Sequence, residues 1–230
     1  MSNQQIEMLE KVAEVLTQIP ETFVFTGGAT IALYVDEVVR GDLRPTDDVD
    51  CVVEITTKGQ YYQLAQKLRE LGLEESSEPN TPLCRWQYQG LNLDIMPCAE
   101  TVLGFSNLWY SDGIKYAIPY QLPSQRVIKI FASSYLLASK IEAFRGRGEG
   151  SFYWSSDIED IITLLDGCAS LESDLQKAES NVRKFVQQWF QSELDSLQEV
   201  APAFLSPVAR NSGRTQLLQQ LLKRLSNRWS

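Results

Sequence analysis

The chain has 230 residues, 43% of them apolar, enough for a substantial core and one or two domains. Its 30 acidic residues against 21 basic ones give a net charge of -9, which argues against broad contact with a phosphate backbone. It has no histidine, which excludes Ser-His-Asp and Cys-His nucleophile systems and leaves acid–base or metal chemistry to carboxylates, lysine, tyrosine or thiol.

In chain order, Ile6, Leu9, Val12, Ala13 and Leu16 stand at helical spacing and predict an amphipathic helix over 4–18, ending before Pro20. "TFVFTGG" reads as a strand broken at Gly27-Gly28, and "ATIALYVDEVV" continues with helical character. "VDCVVEIT" is the next strand, and 58–71 the next helix, with Tyr62, Ala65, Leu68 and Leu71 on one face. "LCRWQYQG" and "LNLDIMP" read as strands meeting at a Gln89-Gly90 turn, while "KYAIPY" and "RVIKIF" add short edge strands.

After residue 132 the character changes. "SSYLLASKIEAFRG" is a helix with a serine start and a Gly146 stop, and "RGRGEGSFYWSS" is a glycine-rich loop with three aromatics. "SDIEDIITLLDG" is a helix capped by Ser155 or Ser156, and amphipathic segments follow at 171–179, 181–200 and 214–229. The expected fold class is α/β. A mixed-sheet domain over 1–132 precedes a helical C-terminal domain over 133–230 that completes the active site.

No run approaches the roughly 18 consecutive apolar residues of a membrane span. The N-terminus is polar and acidic, unlike a signal peptide, and Cys51, Cys84, Cys98 and Cys168 form no CxxC pair. A cytoplasmic protein with free thiols is the expectation.

The chemistry centres on "RPTDDVDCVVE". Residues two apart on a strand share a face, so Asp48 and Asp50 project together while Val49 and Cys51 point away. Adjacent carboxylates repel unless a cation lies between them, and Mg²⁺ commonly serves, held by one or two carboxylates and substrate phosphates. Asp94 in "LNLDIM" is a third carboxylate among apolar neighbours. If its strand lies beside the first, the three converge as a two-metal phosphoryl-transfer site requires. Gly27-Gly28, closing a strand and opening a helix, offers backbone N–H groups to a phosphate. The plainer alternative places Asp47 and Asp48 in a turn and Asp50 at a solvated edge.

"TGGATIALYV" followed by "RPTDDVDCVV" resembles the opening motif of the DNA polymerase β-like nucleotidyltransferase superfamily. With "LLASKIEAFRGRG" and "SSDIEDIITLL" it is similar, more narrowly, to the AbiEii-type branch, which includes toxins of toxin–antitoxin pairs. The resemblance spans residues 23 to 165. It implies Mg²⁺-dependent transfer of a nucleoside monophosphate from a nucleoside triphosphate to a hydroxyl acceptor. Asp48, Asp50 and Asp94 would ligate metal, and Asp94 has proton transfer as an alternative role. Lys140 and Asp157, with Asp160 as a substitute, would complete the catalytic set. Gly27, Gly28, Thr46, Lys140 and Arg145 would contact nucleotide, although a regular helix sets Lys140 and Arg145 about 140° apart.

Two departures stand out. The branch often has Lys-x-Asp where this chain has Asn92-Leu93-Asp94, and the spacer from Gly28 to Asp48 is long. Arg44 is one replacement for the missing lysine, and a surface-loop charge is its plainer reading. The resemblance implies an acceptor such as the tRNA 3′ end and an antitoxin partner. The net charge argues in part against RNA, which stays slightly ahead of the alternative of a small acceptor such as an aminoglycoside, and the missing lysine slightly favours a silent nucleotide-binding protein. RNA contact would have to come from Arg126, Lys129, Lys140, Arg145 and Arg147, with Arg210, Arg214, Lys223, Arg224 and Arg228.

Overall fold

The computed structural model describes residues 4–77, 81–147 and 151–227. In chain order it runs α1 (Gln4–Leu16), β1 (Phe23–Thr26), the one-turn α2 (Gly27–Thr30), α3 (Glu37–Arg40), β2 (Asp48–Val53) and α4 (Lys58–Glu70). Next come β3 (Glu74–Glu75), β4 (Arg85–Tyr88), β5 (Leu91–Pro97), α5 (Glu100–Leu103), α6 (Tyr110–Lys115), β6 (Ile118–Gln121) and β7 (Val127–Ile130). The remainder is helical: α7 (Ser133–Gly146), α8 (Ser156–Gly167), α9 (Leu171–Lys177), α10 (Ser180–Ser192), α11 (Leu194–Phe204), α12 (Pro207–Asn211) and α13 (Arg214–Ser226). Two compact units result, one of Met1–Leu33 with Arg44–Ala132, the other of Tyr34–Leu43 with Ser133–Ser230. No helix among the described residues is long and apolar enough to cross a membrane.

The first unit holds a seven-stranded mixed sheet in the order β3-β4-β5-β2-β1-β7-β6, the class its sequence pattern implies. β2 lies between antiparallel β1 and parallel β5, the most sheltered place in the sheet, and Val49, Cys51, Val52 and Val53 are almost wholly buried there. β4 and β5 form the expected hairpin. Gln89 and Gly90 both take positive φ, 49° and 78°, which suits a tight turn to the twist of its strands. One expectation needs correction. "RVIKIF" is not an edge: β7 pairs with both β1 and β6, and β3 and β6 are the edges. Pro119 on β6 and the two glutamates of β3 are the residue types that edges tolerate.

The second unit explains the long spacer. The helix opened at Gly27 does not run on through "VDEVVRGDLRP": after a 3-10 turn at Ile31–Leu33, residues 34–43 join the helical unit. Asp36 caps α3 by accepting a hydrogen bond from Val39 N–H, and its own N–H bonds the Gly167 carbonyl of α8. Gly167 is tight against Val35, whose Cβ would lie 2.7 Å from any Cβ placed there. Ser155 caps α8 as its sequence implies, its hydroxyl accepting from Ile158 N–H. The segment expected over 181–200 breaks at Glu193 into α10 and α11.

Candidate active site

Side chains that pair across strands share a sheet face. Thr26 pairs with Asp50, Asp50 with Asp94, and Asp94 with Arg85, so one row crosses β1, β2, β5 and β4. The next row carries Asp48 opposite Asn92 and Gln87. The parallel β2–β5 ladder therefore converges Asp48, Asp50 and Asp94 on one face, as the sequence pattern anticipates.

The cation among them is a guanidinium. Arg85 donates from Nε to Asp94 Oδ1 and from Nη2 to Asp94 Oδ2, both at 2.8 Å, and Nη2 also reaches Asp48 Oδ2 at 2.6 Å. The Asp94 side chain is 10% exposed, that of Arg85 22% and that of Asp48 31%. Hydrogen bonds to Asp94, together with the charges of Asp94, Asp48 and Asp50, raise the Arg85 pKa further against the opposing effect of burial. Thr46, expected among the nucleotide contacts, donates to Asp48 Oδ1 at 3.1 Å and so fixes that carboxylate's other oxygen.

Asp50 lies against the glycine turn. Gly27 has φ +76°, and a Cβ there would stand 1.8 Å from Asp50 Oδ2, so glycine is required twice over. Gly28 follows Gly27 in the single turn of α2, in which the Thr30 hydroxyl donates to the Gly27 carbonyl. Thr26 is 3% exposed, and its hydroxyl has no hydrogen-bond partner among the described residues. Burial and then the charges of Asp50 and Asp94 raise the Cys51 thiol on β2, and burial followed by Asp94 pushes Cys84, just before β4, up to about 12. Both thiols are buried, at 0% and 2% exposure.

In the second unit, Lys140 on α7 meets α8. Its Nζ is 2.6 Å from Asp160 Oδ2 and 3.5 Å from Asp157 Oδ1, and Arg147 Nη1 lies 2.7 Å from Asp157 Oδ2. Asp157 and Asp160 are three apart and share a helix face, buried to 1% and 3% exposure. Arg145 points elsewhere, as the helical angle requires. It pairs with Glu142 at 3.6 Å and lies over the Phe185 ring, in the wall of a cavity of about 560 Å³ with Phe144, Phe152 and Trp189. Thus Lys140, Asp157 and Asp160 come together and Arg145 stands apart.

No family model matches the chain, and no curated protein matches it in sequence. Solved structures do. An antigenic nucleotidyltransferase-like protein from Paracoccidioides brasiliensis superposes with a TM-score of 0.52 at 18% identity, covering 86% of this chain and 94% of that one. The fold is nucleotidyltransferase-like. Two further structures superpose at a TM-score of 0.48. They are the antibiotic-resistance factor ANT(2'')-Ia, 12% identical over 86% of this chain and 97% of its own, and JHP933 from Helicobacter pylori, 10% identical over 98% and 93%. The fold assignment rests on the Paracoccidioides protein alone.

A nucleotidyltransferase-like fold implies a divalent ion at its carboxylates, and a hard ion needs the oxygens that Arg85 holds. Both oxygens of Asp94 lie in the guanidinium fork, and Asp48 is shared between Arg85 and Thr46. Among the described residues no three Asp, Glu, Cys or His side chains are placed to hold a metal. Arranged this way, the set does not fit such an ion. Arg85 is also the residue that the sequence reading missed, and the signal was available. Counting outward from the Gln89-Gly90 turn pairs Tyr88 with Leu91, then Gln87 with Asn92, Trp86 with Leu93 and Arg85 with Asp94. The positive charge sought at Arg44 thus comes from across the hairpin. Arg44 instead donates to the Pro45 carbonyl.

Proposed function

We propose that the chain is a nucleotidyltransferase that moves a nucleoside monophosphate from a nucleoside triphosphate to the hydroxyl of a small acceptor, releasing pyrophosphate. The observation that carries this reading is the pairing of Asp50 with Asp94 beside the Gly27 turn, with Asp48 one row away, in a nucleotidyltransferase-like fold. The acceptor oxygen attacks the α-phosphorus, the bond from that phosphorus to the oxygen bridging to the β-phosphate breaks, and the acceptor's proton passes to Asp94. Gly27 leaves its Cβ space to the Asp50 carboxylate, and in this reading the backbone N–H groups of Gly27 and Gly28 meet the phosphates. Thr46 acts through Asp48. Lys140, Asp157 and Arg147 hold α7 to α8 in this reading, and Arg145 serves its own aromatic cavity.

A small acceptor is preferred to tRNA because six of the nine described basic side chains expected to meet RNA face carboxylates instead, while Lys129, Arg210 and Lys223 are exposed. Arg126 lies by Glu10, Lys140 by Asp160, Arg145 by Glu142, Arg147 by Asp157, Arg214 by Asp166 and Arg224 by Glu172. Arg228 lies outside the described residues. With six of those charges answered internally, a body at -9 has only three described candidates left to steer a polyanion. The toxin role, and the antitoxin partner that the resemblance implies, are not part of this proposal.

The Arg85 fork favours one other reading, a protein that binds nucleotide without transferring it. Incubation with each α-labelled triphosphate and a panel of small hydroxyl compounds, beside total tRNA, separates the two. Label on a small compound supports the transferase. Label on tRNA overturns the choice of acceptor, nucleotide binding without label on anything supports the silent binder, and no nucleotide binding rejects both.

A further inference from the structure

We infer that Arg85 is an internal cation competing with divalent metal for Asp48 and Asp94, so that the carboxylates take up an ion only when its side chain swings away. The fork lies where an ion would bind. It engages both oxygens of Asp94 and one of Asp48 at 2.6–2.8 Å, and a divalent ion at its own, shorter ligand distances would occupy the space of those nitrogens. The two cations therefore exclude each other.

What can move is the side chain alone. The backbone of β4 is fixed by its ladder to β5, and next to Arg85 the Trp86 side chain is 1% exposed and locks the strand. The Arg85 side chain is 22% exposed against 10% for Asp94, so Arg85 has the wider opening to solvent. Asp94 is thus a deeply placed charge that requires a cation, and Arg85 is the partner with a way out. Removing one member of such a pair leaves the other charged and desolvated, a condition that an added ion would relieve. A nearby opposite charge commonly alters a carboxylate's affinity for a proton by tenfold to about a thousandfold, and a change of similar order is expected for a metal ion.

The inference rests on the transferase reading for where the ion would act, but its test reads ion binding, which succeeds or fails independently of transfer. Mn²⁺ binding to the full chain is measured by calorimetry, and by the paramagnetic resonance of free Mn²⁺, for the wild type, Arg85→Met and Arg85→Lys. The expected order of affinity is Arg85→Met, then Arg85→Lys, then wild type, with roughly tenfold or more between the extremes. Lysine keeps a charge but cannot bridge two carboxylates as a fork does, and it preserves the comparison if the methionine variant does not fold. Mn²⁺ should also raise the unfolding temperature of the variant more than that of the wild type. Equal affinity in all folded proteins, or a folded variant that binds no Mn²⁺, would overturn the inference.

Discussion

The Asp50 carboxylate fills the space that a side chain at Gly27 would need. A Cβ there would meet Oδ2 at 1.8 Å and the Asp50 Cβ at 2.7 Å, so rotating the carboxylate tip alone would not relieve the clash. Gly27→Ala would also force alanine to φ +76°. The expected loss is about 1–3 kcal/mol in urea unfolding, with Asp50 displaced and transfer reduced. A variant as stable and as active as the wild type would show that this contact matters to neither.

The Lys140 cluster makes a separate prediction about stability. Lys140 Nζ meets two carboxylates that are almost fully buried, on a side chain itself 11% exposed. Lys140→Met leaves Asp160 without this lysine and Asp157 with Arg147, and should cost about 3–5 kcal/mol. The double variant Lys140→Met with Asp160→Leu should lose less than the sum of the two single changes. Additive losses in chemical unfolding would mean that the two residues are energetically independent.

Alkaline pH should destabilise the first unit. Burial pushes the Cys84 thiol from 9.0 up to about 12 and the Tyr61 phenol from 10.0 up to about 12. The unfolded chain releases these protons at the lower values and the folded chain only near the higher ones. Their contribution is therefore intact below about pH 9 and is lost as pH rises towards 12. In the native protein at pH 8, iodoacetamide should spare Cys51 and Cys84 and reach partly exposed Cys98 first, with all of them labelled in urea. Native labelling of Cys84 at the rate of Cys98 would contradict this.

Much of this was legible in the sequence because the decisive signals are local. Gly27-Gly28 breaks a β-branched run, Gln89-Gly90 makes a tight turn, and Asp48 and Asp50 are two apart on one strand. What escaped depends on pairing between distant segments. β7 reads as an edge because nothing near Val127–Ile130 reveals its parallel pairing with β1 about a hundred residues earlier. Residues 34–43 read as an extension of the Gly27 helix or as an inserted loop because their role comes from Gly167, remote in sequence. Arg85 was recoverable by counting the hairpin, and α12 by its Ser206 cap and Pro207 start, which are helix-opening signals in a segment of only five residues.

The most direct measurement is label transfer by Asp48→Asn beside the wild type. Asp48 is the more exposed of the two carboxylates that meet Arg85, which would keep its two-point hold on Asp94, so the variant should fold with a near-normal unfolding midpoint. If the carboxylate face is the active site, the wild type carries label from an α-labelled triphosphate to a small hydroxyl acceptor, and Asp48→Asn loses nearly all of that activity. A folded Asp48→Asn protein that transfers label at the wild-type rate would contradict the assignment of this face as the active site.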